Sequence, residues 1–249
     1  MTIREIIEMD INIIATGSSG NCVRVSDSKT QLLFDAGIPF KQIQKSLNYD
    51  LTGYNILVSH KHGDHSKSLK DFYNRGNEVF CGAETARDIL HLDENNDGTF
   101  GTTNLHVLEN LKQYTIGSFV VKAFSVKHIN SDFSDCENFG FIAYSTITKE
   151  TLVYMTDFMY CEYKLPQADY YLIECNYEDS LLENEDINRT VQIRRLKSHC
   201  SLSTFCDLLD KTDLSKCKKL YIIHTSQNAD KELIKNTVVA RYGVLTGMA

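Results

Sequence analysis

The sequence predicts an α/β fold in which two sheets pack face to face with helices outside. Three observations carry this. Short apolar strands alternate with helical stretches in two successive halves of the chain. The first three strands follow one another with no helix between them, so they begin an antiparallel sheet. Several strands stop at a His, Asp or Glu, as a site built along a sheet rim requires. With 249 residues and 42% hydrophobic content, the chain can bury a substantial core as one domain spanning 1–249.

Residues 1–8 read as a leader segment, with Met9 an alternative start. Strands are expected over 11–15, 22–26 and 31–35. Between the first two, Thr16-Gly-Ser-Ser-Gly-Asn21 lacks the Lys and following helix of a nucleotide P-loop, and reads as a hairpin beside the site. Phe34-Asp-Ala-Gly37 ends the third strand on a carboxylate. Asp35 there is either a turn cap or a partner that orients a metal-binding His. Pro39 opens a helix with Phe40, Ile43 and Leu47 on one face. A strand over 54–59, a helix over 67–73, a strand over 79–81, a helix over 84–91 and a strand over 105–108 complete the first half. His91 and His106 stand alone and read as non-ligands. In the second half, strands over 119–126, 139–145, 152–156, 170–174 and 220–224 are interleaved with helices over 187–196, 202–209 and 231–242. His128, Asp157, Glu174 and His224 mark strand ends. The polar stretches 93–98 and 181–188 are exposed loops, each a candidate active-site flap.

Ile56-Leu-Val-Ser-His-Lys-His-Gly-Asp-His-Ser66 concentrates three of the chain's eight histidines in six positions. In an extended segment alternate side chains share a face, so His60 and His62 leave the strand end on the same side. Asp64 and His65 follow at a turn and aim elsewhere. That spacing predicts two metal ions rather than one. Imidazoles with carboxylates suit zinc, manganese or iron. The plainer alternative is a solvated loop that happens to be rich in histidine.

A formal net charge of −7 argues against a surface that neutralises many phosphates of a long nucleic acid, and favours a small substrate. The eight cysteines, at 22, 81, 136, 161, 175, 200, 206 and 217, lack the spacing of a disulfide framework or zinc ribbon. They read as reduced, small hydrophobes in a cytoplasmic protein.

These residues resemble the metallo-β-lactamase superfamily over nearly the whole chain. The resemblance implies a four-layer αββα sandwich. It also implies a ligand set in which His60, His62 and His128 hold one metal, Asp64, His65 and His224 hold the other, and Asp157 bridges them. Zinc is the expected ion and manganese the alternative. Ser198-His-Cys-Ser201 and Ile223-His-Thr-Ser226 are similar to motifs of the tRNA 3′-processing branch, with Ser198 where that branch has Gly. By that likeness Asp64, His199 and Glu174 are the candidate catalytic residues. His199, steadied by Glu174, protonates the departing ribose oxygen; the plainer reading of His199 is a histidine at a helix start.

The intervals around Asp157 leave no room for the substrate-gripping arm or the inserted domain of the nucleases in this superfamily. Two compact groups remain. The chain resembles the phage anti-Pycsar phosphodiesterases, which implies a homodimer that hydrolyses 3′,5′-cyclic mononucleotides (cCMP, cUMP, cAMP or cGMP) in a host cytoplasm and counters antiphage signalling. It also resembles the WalJ (YycJ)-type hydrolases, which implies a 5′–3′ DNA exonuclease. A non-catalytic metal-binding scaffold is the alternative of a different class.

Overall fold

A computed structural model describes residues 8–90, 103–183 and 188–249. His91, the 93–98 loop, the centre of the 181–188 loop and nearly all of the 1–8 segment lie outside the described residues.

The first sheet orders β1 (Asp10–Ala15), β2 (Cys22–Ser26), β3 (Gln31–Phe34), β4 (Tyr54–Leu57), β5 (Glu78–Cys81) and β6 (Leu105–Val107) in sequence. β1 to β3 pair antiparallel and β3 to β6 pair parallel. Parallel neighbours need a crossover, which the helices provide. These are α1 (Phe40–Ser46), α2 (Gly63–Ser66), α3 (Leu69–Asn74) and α4 (Ala83–Leu90).

In the second half β7 (Gln113–Ile116) and β8 (Phe119–Ser125) form a hairpin. The two-residue strands β9 (His128–Ile129) and β10 (Asp135–Cys136) pair only with each other. The main sheet then adds β11 (Phe139–Ser145), β12 (Thr151–Met155), β13 (Tyr170–Glu174), β14 (Lys219–Ile223) and β15 (Thr246–Met248). Pairing turns parallel from β12 onward. Three helices complete the chain: α5 (Arg189–Ser198), α6 (Leu202–Asp210) and α7 (Lys231–Tyr242).

Strand alternation decides the layers. Leu152 and Tyr154 of β12 face the first sheet, whereas Val153 and Met155 face the other way. Between the sheets, Phe34 stacks on Tyr154 with ring centroids 5.1 Å apart and tilts against Phe141 at 5.6 Å. Each such side chain contributes about 1.5–3 kcal/mol by leaving water. Ile43, Leu69, Phe72 and Ala86 cover the outer face of the first sheet, and Phe205, Leu209, Ile234 and Val238 that of the second. The result is the expected four-layer αββα sandwich. Asp27 adds a polar tie between the sheets, its Oδ2 accepting from Ser118 Oγ and Ser145 Oγ at 2.6 Å each. α5 leaves three large apolar side chains exposed, Val191, Ile193 and Leu196. No helix among the described residues is long and apolar enough to cross a membrane.

Local departures have local causes. The helix expected over 67–73 starts only at Leu69, as α3, with the separate short α2 before it, because Ser68 is pulled onto the preceding loop. Its amide donates to Ala36 O at 2.9 Å and its hydroxyl to Ile38 O at 2.6 Å. The strand expected to run into His128 stops at Ser125, and His128 opens the β9–β10 ribbon instead. β7 and β15 were not expected, since Gln-Tyr-Thr-Ile and Thr-Gly-Met carry too little apolar pattern. All eight cysteines are free, and six are buried.

Gly37 is the tightest point of this framework. A Cβ there would lie 1.6 Å from the carbonyl oxygen of Asp64. Gly37→Ala is therefore expected to displace the Asp64-His65 turn and cost about 1–3 kcal/mol or more, read by urea denaturation together with bound-metal content. Wild-type values for both would refute that close approach.

Candidate metal centre

The site lies where strands of both sheets end. β4 leads to Ser59 and His60, and His62 immediately precedes α2, which carries Asp64 and His65. β9 delivers His128, β12 leads to Asp157, β13 ends on Glu174, and β14 leads to His224. Asp35, Asp157 and His224, all just past a strand, have φ of 59°, 51° and 52°. This left-handed region costs a non-glycine residue about 1–3 kcal/mol, and such strain gathers at functional sites. Here it turns each side chain off the strand direction into the cluster. Asn138 holds the Asp157 turn, donating to the carbonyls of Thr156 and Asp157 at 3.1 and 2.6 Å.

Three donor groups result, all sharing Asp157: two contain the expected ligands, and the third joins Asp157 and His224 with Glu174 and His199. In the first, His62 Nδ1 lies 3.0 Å from His60 Nε2 and 3.1 Å from His128 Nε2. Asp157 Oδ2 stands 3.8 Å from both His60 and His128. In the second, Asp64 Oδ2 lies 3.5 Å from His65 Nε2 and 3.7 Å from His224 Nε2, and Asp157 Oδ2 is 3.5 Å from His65. All seven ligands expected from the sequence are thus brought together. His224 Nε2 is buried without a hydrogen-bond partner. A buried polar atom left orphaned is costly, and an ion among these donors would satisfy it. The residues fit a metal.

The opposite nitrogen of each imidazole is anchored, which fixes ring and tautomer. His60 Nδ1 donates to Ser59 Oγ at 3.0 Å and His62 Nε2 to Asn130 Oδ1 at 3.2 Å. His65 Nδ1 donates to Asp35 Oδ2 at 2.8 Å and His128 Nδ1 to Ser198 O at 3.1 Å. Asp35 is therefore the partner of a candidate ligand histidine rather than a simple cap. It also accepts from Ser59 N at 2.8 Å and from Tyr154 Oη at 2.7 Å. Nothing in the sequence marked Tyr154 for this role.

Glu174 does more than steady His199. Its Oε1 accepts from His199 Nδ1 at 2.7 Å and from His224 Nδ1 at 2.9 Å, while Oε2 accepts from Phe158 N at 3.0 Å. One buried carboxylate thus holds both His199 and a candidate ligand. His199 itself lies between α5 and α6 at the rim of a cleft of about 410 Å³, with His62, Asp64, Asp157, Arg195 and Ser226. His106 lies apart, with Nε2 2.5 Å from Glu78 and its ring stacked on Phe80, in keeping with a non-ligand. Ser18 of the Gly-Ser-Ser-Gly hairpin lines the cleft, and Thr16 Oγ1 accepts from His224 N at 2.8 Å. The hairpin is therefore beside the site, as expected.

The two donor sets differ in charge. Burial pushes His60 well below its ordinary pKa and His128 down to about 4, so both imidazoles are neutral at pH 7. Burial opposes charge at His65 and His224 as well, but carboxylates override it. Asp157 and Asp35 hold His65 well above the usual range, and Asp157, Asp64 and Glu174 hold His224 at about 10.

Imidazoles and carboxylates gathered at the rim of two stacked sheets define a hydrolase site able to bind metal ions. Residues 30–224 match the family model described as the Beta-lactamase superfamily domain. The chain belongs to that superfamily and has its metallo-β-lactamase fold. It is 28% identical over 244 residues to the exodeoxyribonuclease WalJ of Streptococcus pneumoniae, covering 92% of this chain and 86% of WalJ. It is 25% identical over 245 residues to the exodeoxyribonuclease YycJ of Bacillus anthracis, covering 92% and 88%. The crystal structure of the metallo-β-lactamase fold protein YhfI from Bacillus subtilis superposes with a TM-score of 0.72 at 14% identity, covering 97% of each chain.

Since carboxylates raise His65 and His224 above the usual imidazole range, a cation competes there with protons. Zinc uptake by the chelator-treated chain is expected to release protons, and its affinity to rise with pH from neutral towards about 10, where His224 loses its proton unaided. Calorimetry in buffers of different ionisation enthalpy measures both; pH-independent affinity with no proton release would contradict the charge asymmetry.

Proposed function

We propose that the protein is a dinuclear metal-dependent phosphodiesterase acting on nucleotide esters at the end of a DNA strand. The observation that carries the reaction class is the His199–Glu174 pair, joined at 2.7 Å at the rim of the cleft beside both donor sets. A thiolate leaves without help, whereas a sugar alkoxide needs a proton. An imidazole held by a carboxylate at the cleft edge supplies one.

His60, His62 and His128 would hold one ion and Asp64, His65 and His224 the other, with Asp157 available to both. The donor chemistry favours zinc, with manganese next. Bound there, divalent cations supply a nucleophile at neutral pH and neutralise charge that develops on phosphoryl oxygens. His199 directs Nε2 at the leaving oxygen because its Nδ1 is committed to Glu174. Asp64 orients the turn that carries His65 and closes the second donor set.

The DNA end is supported by the names of WalJ and YycJ, both exodeoxyribonucleases, and by their match along nearly the whole chain. At −7 the chain lacks the positive balance of a protein that grips a long polyanion, so only terminal nucleotides enter the cleft. A second reading is hydrolysis of a 3′,5′-cyclic mononucleotide, favoured by the cleft volume of about 410 Å³, which is near the lower end for small-ligand sites. The zinc- or manganese-loaded chain should shorten 5′-phosphorylated single-stranded DNA and leave cCMP, cUMP, cAMP and cGMP essentially intact. The reverse pattern would assign the second reading.

His199→Ala should keep its metals yet slow DNA hydrolysis by roughly 10²- to 10⁴-fold. The loss should shrink for bis-p-nitrophenyl phosphate, whose leaving group needs little protonation. Glu174→Ala should differ, because it also frees His224 and should weaken metal binding roughly 10- to 100-fold. Equal slowing of both substrates by His199→Ala, or an emptied metal site, would remove His199 from the acid role.

A further inference from the structure

Beyond the donor sets, the cleft contains two guanidinium groups, Arg194 and Arg195 of α5, that the chemistry above does not use. Arg194 is exposed at the cleft edge. Arg195 is held in place from three sides. Its Nη2 donates to Ser226 Oγ at 3.2 Å, its Cζ lies 5.9 Å from the centre of the Tyr177 ring, and its backbone carbonyl accepts from His199 N at 3.0 Å.

Ser226 is itself tied to the centre. Its amide donates to Asn176 O at 2.8 Å, and Asn176 Nδ2 donates to His224 O, also at 2.8 Å. Arg195 is thus positioned against the loop that carries His224 and next to the residue that would protonate the leaving group.

The guanidinium is only half used. Among the described residues no carboxylate forms an ion pair with Arg195, and its side chain lines the cleft although Nη1 itself is closed off from solvent. Glu178, whose charge Arg195 feels, has Oε2 engaged by the amide of Asp230 at 3.0 Å. A cation on a cleft wall without a carboxylate partner keeps its charge available to an anion. Planar forked donors match phosphate oxygens. Ser226 stands two residues beyond His224, which limits the separation along the chain to ~7 Å. Neighbouring phosphates on a single strand are spaced on the same scale.

We infer that Arg195, with Ser226 and Arg194, forms an anion subsite for the phosphate next to the scissile one, so that the substrate is a nucleotide ester with at least two phosphates. The inference rests on the phosphodiesterase reading and sharpens it. A cyclic mononucleotide has one phosphate and leaves the subsite unused.

The test is binding to the zinc-loaded chain of two probes, thymidine 3′,5′-bisphosphate and thymidine 5′-monophosphate, measured by calorimetry. The wild-type chain should prefer the bisphosphate by about 10- to 100-fold. Arg195→Gln should erase that preference chiefly by weakening the bisphosphate, and Arg195→Lys should restore part of it. Equal affinity of the wild-type chain for the two probes, including none measurable, overturns the subsite. So does an Arg195→Gln chain that keeps the preference, or one that weakens both probes alike, which would make Arg195 a structural residue. Turnover is not read in this measurement. A wild-type chain that prefers the bisphosphate but hydrolyses no phosphodiester would uphold the subsite and overturn the functional reading.

Discussion

Asp157 is the group on which both donor sets close. It is 3% exposed, backed by Thr156 Oγ1 at 3.1 Å, and bent into a left-handed turn at the end of β12. Its Oδ2 looks toward His60, His65 and His128, and its Oδ1 lies 3.1 Å from His224 Nδ1. A carboxylate this deep is tolerable only among cations. Burial opposes its charge, but His224 and His65 hold it well below the usual carboxylate range. The sheets, the strained turns and the anchored imidazoles all serve to keep those charges opposed at one point.

Seen this way, the fold explains the site's order. Parallel strands place their C-terminal ends on one rim, and candidate ligands that follow β4, β12 and β14 converge there with Glu174 at the end of β13. The ties behind them are as important as the ligands. Asp35 couples His65 to Tyr154 and Ser59, and Glu174 couples His199 to His224. A change in one partner is therefore felt at another, and single substitutions near the site will rarely act on one residue alone.

Much of this was legible in the sequence. His60, His62, Asp64 and His65 announced themselves by density, and His128, Asp157, Glu174 and His224 by ending apolar strands. Glu174 was matched to His199, but its second bond to His224 was invisible, since β13 and β14 become neighbours only through parallel pairing. Tyr154 looked like one more core aromatic, and its hydroxyl reaches Asp35 only once the two sheets stack. Ser68 broke a helix through tertiary bonds that no local propensity encodes. Arg195 sits in a run of basic residues that reads as a solvated helix face, and only its place on the cleft wall and its bond to Ser226 set it apart.

The central claim is that the two donor sets act together on a phosphodiester. It is tested most directly by titrating the chelator-treated chain with zinc while bound metal and bis-p-nitrophenyl phosphate hydrolysis are followed in the same sample. Turnover should appear with the second equivalent and reach its plateau at two ions per chain. Full turnover at one equivalent, or hydrolysis by the chelated chain, would contradict the account.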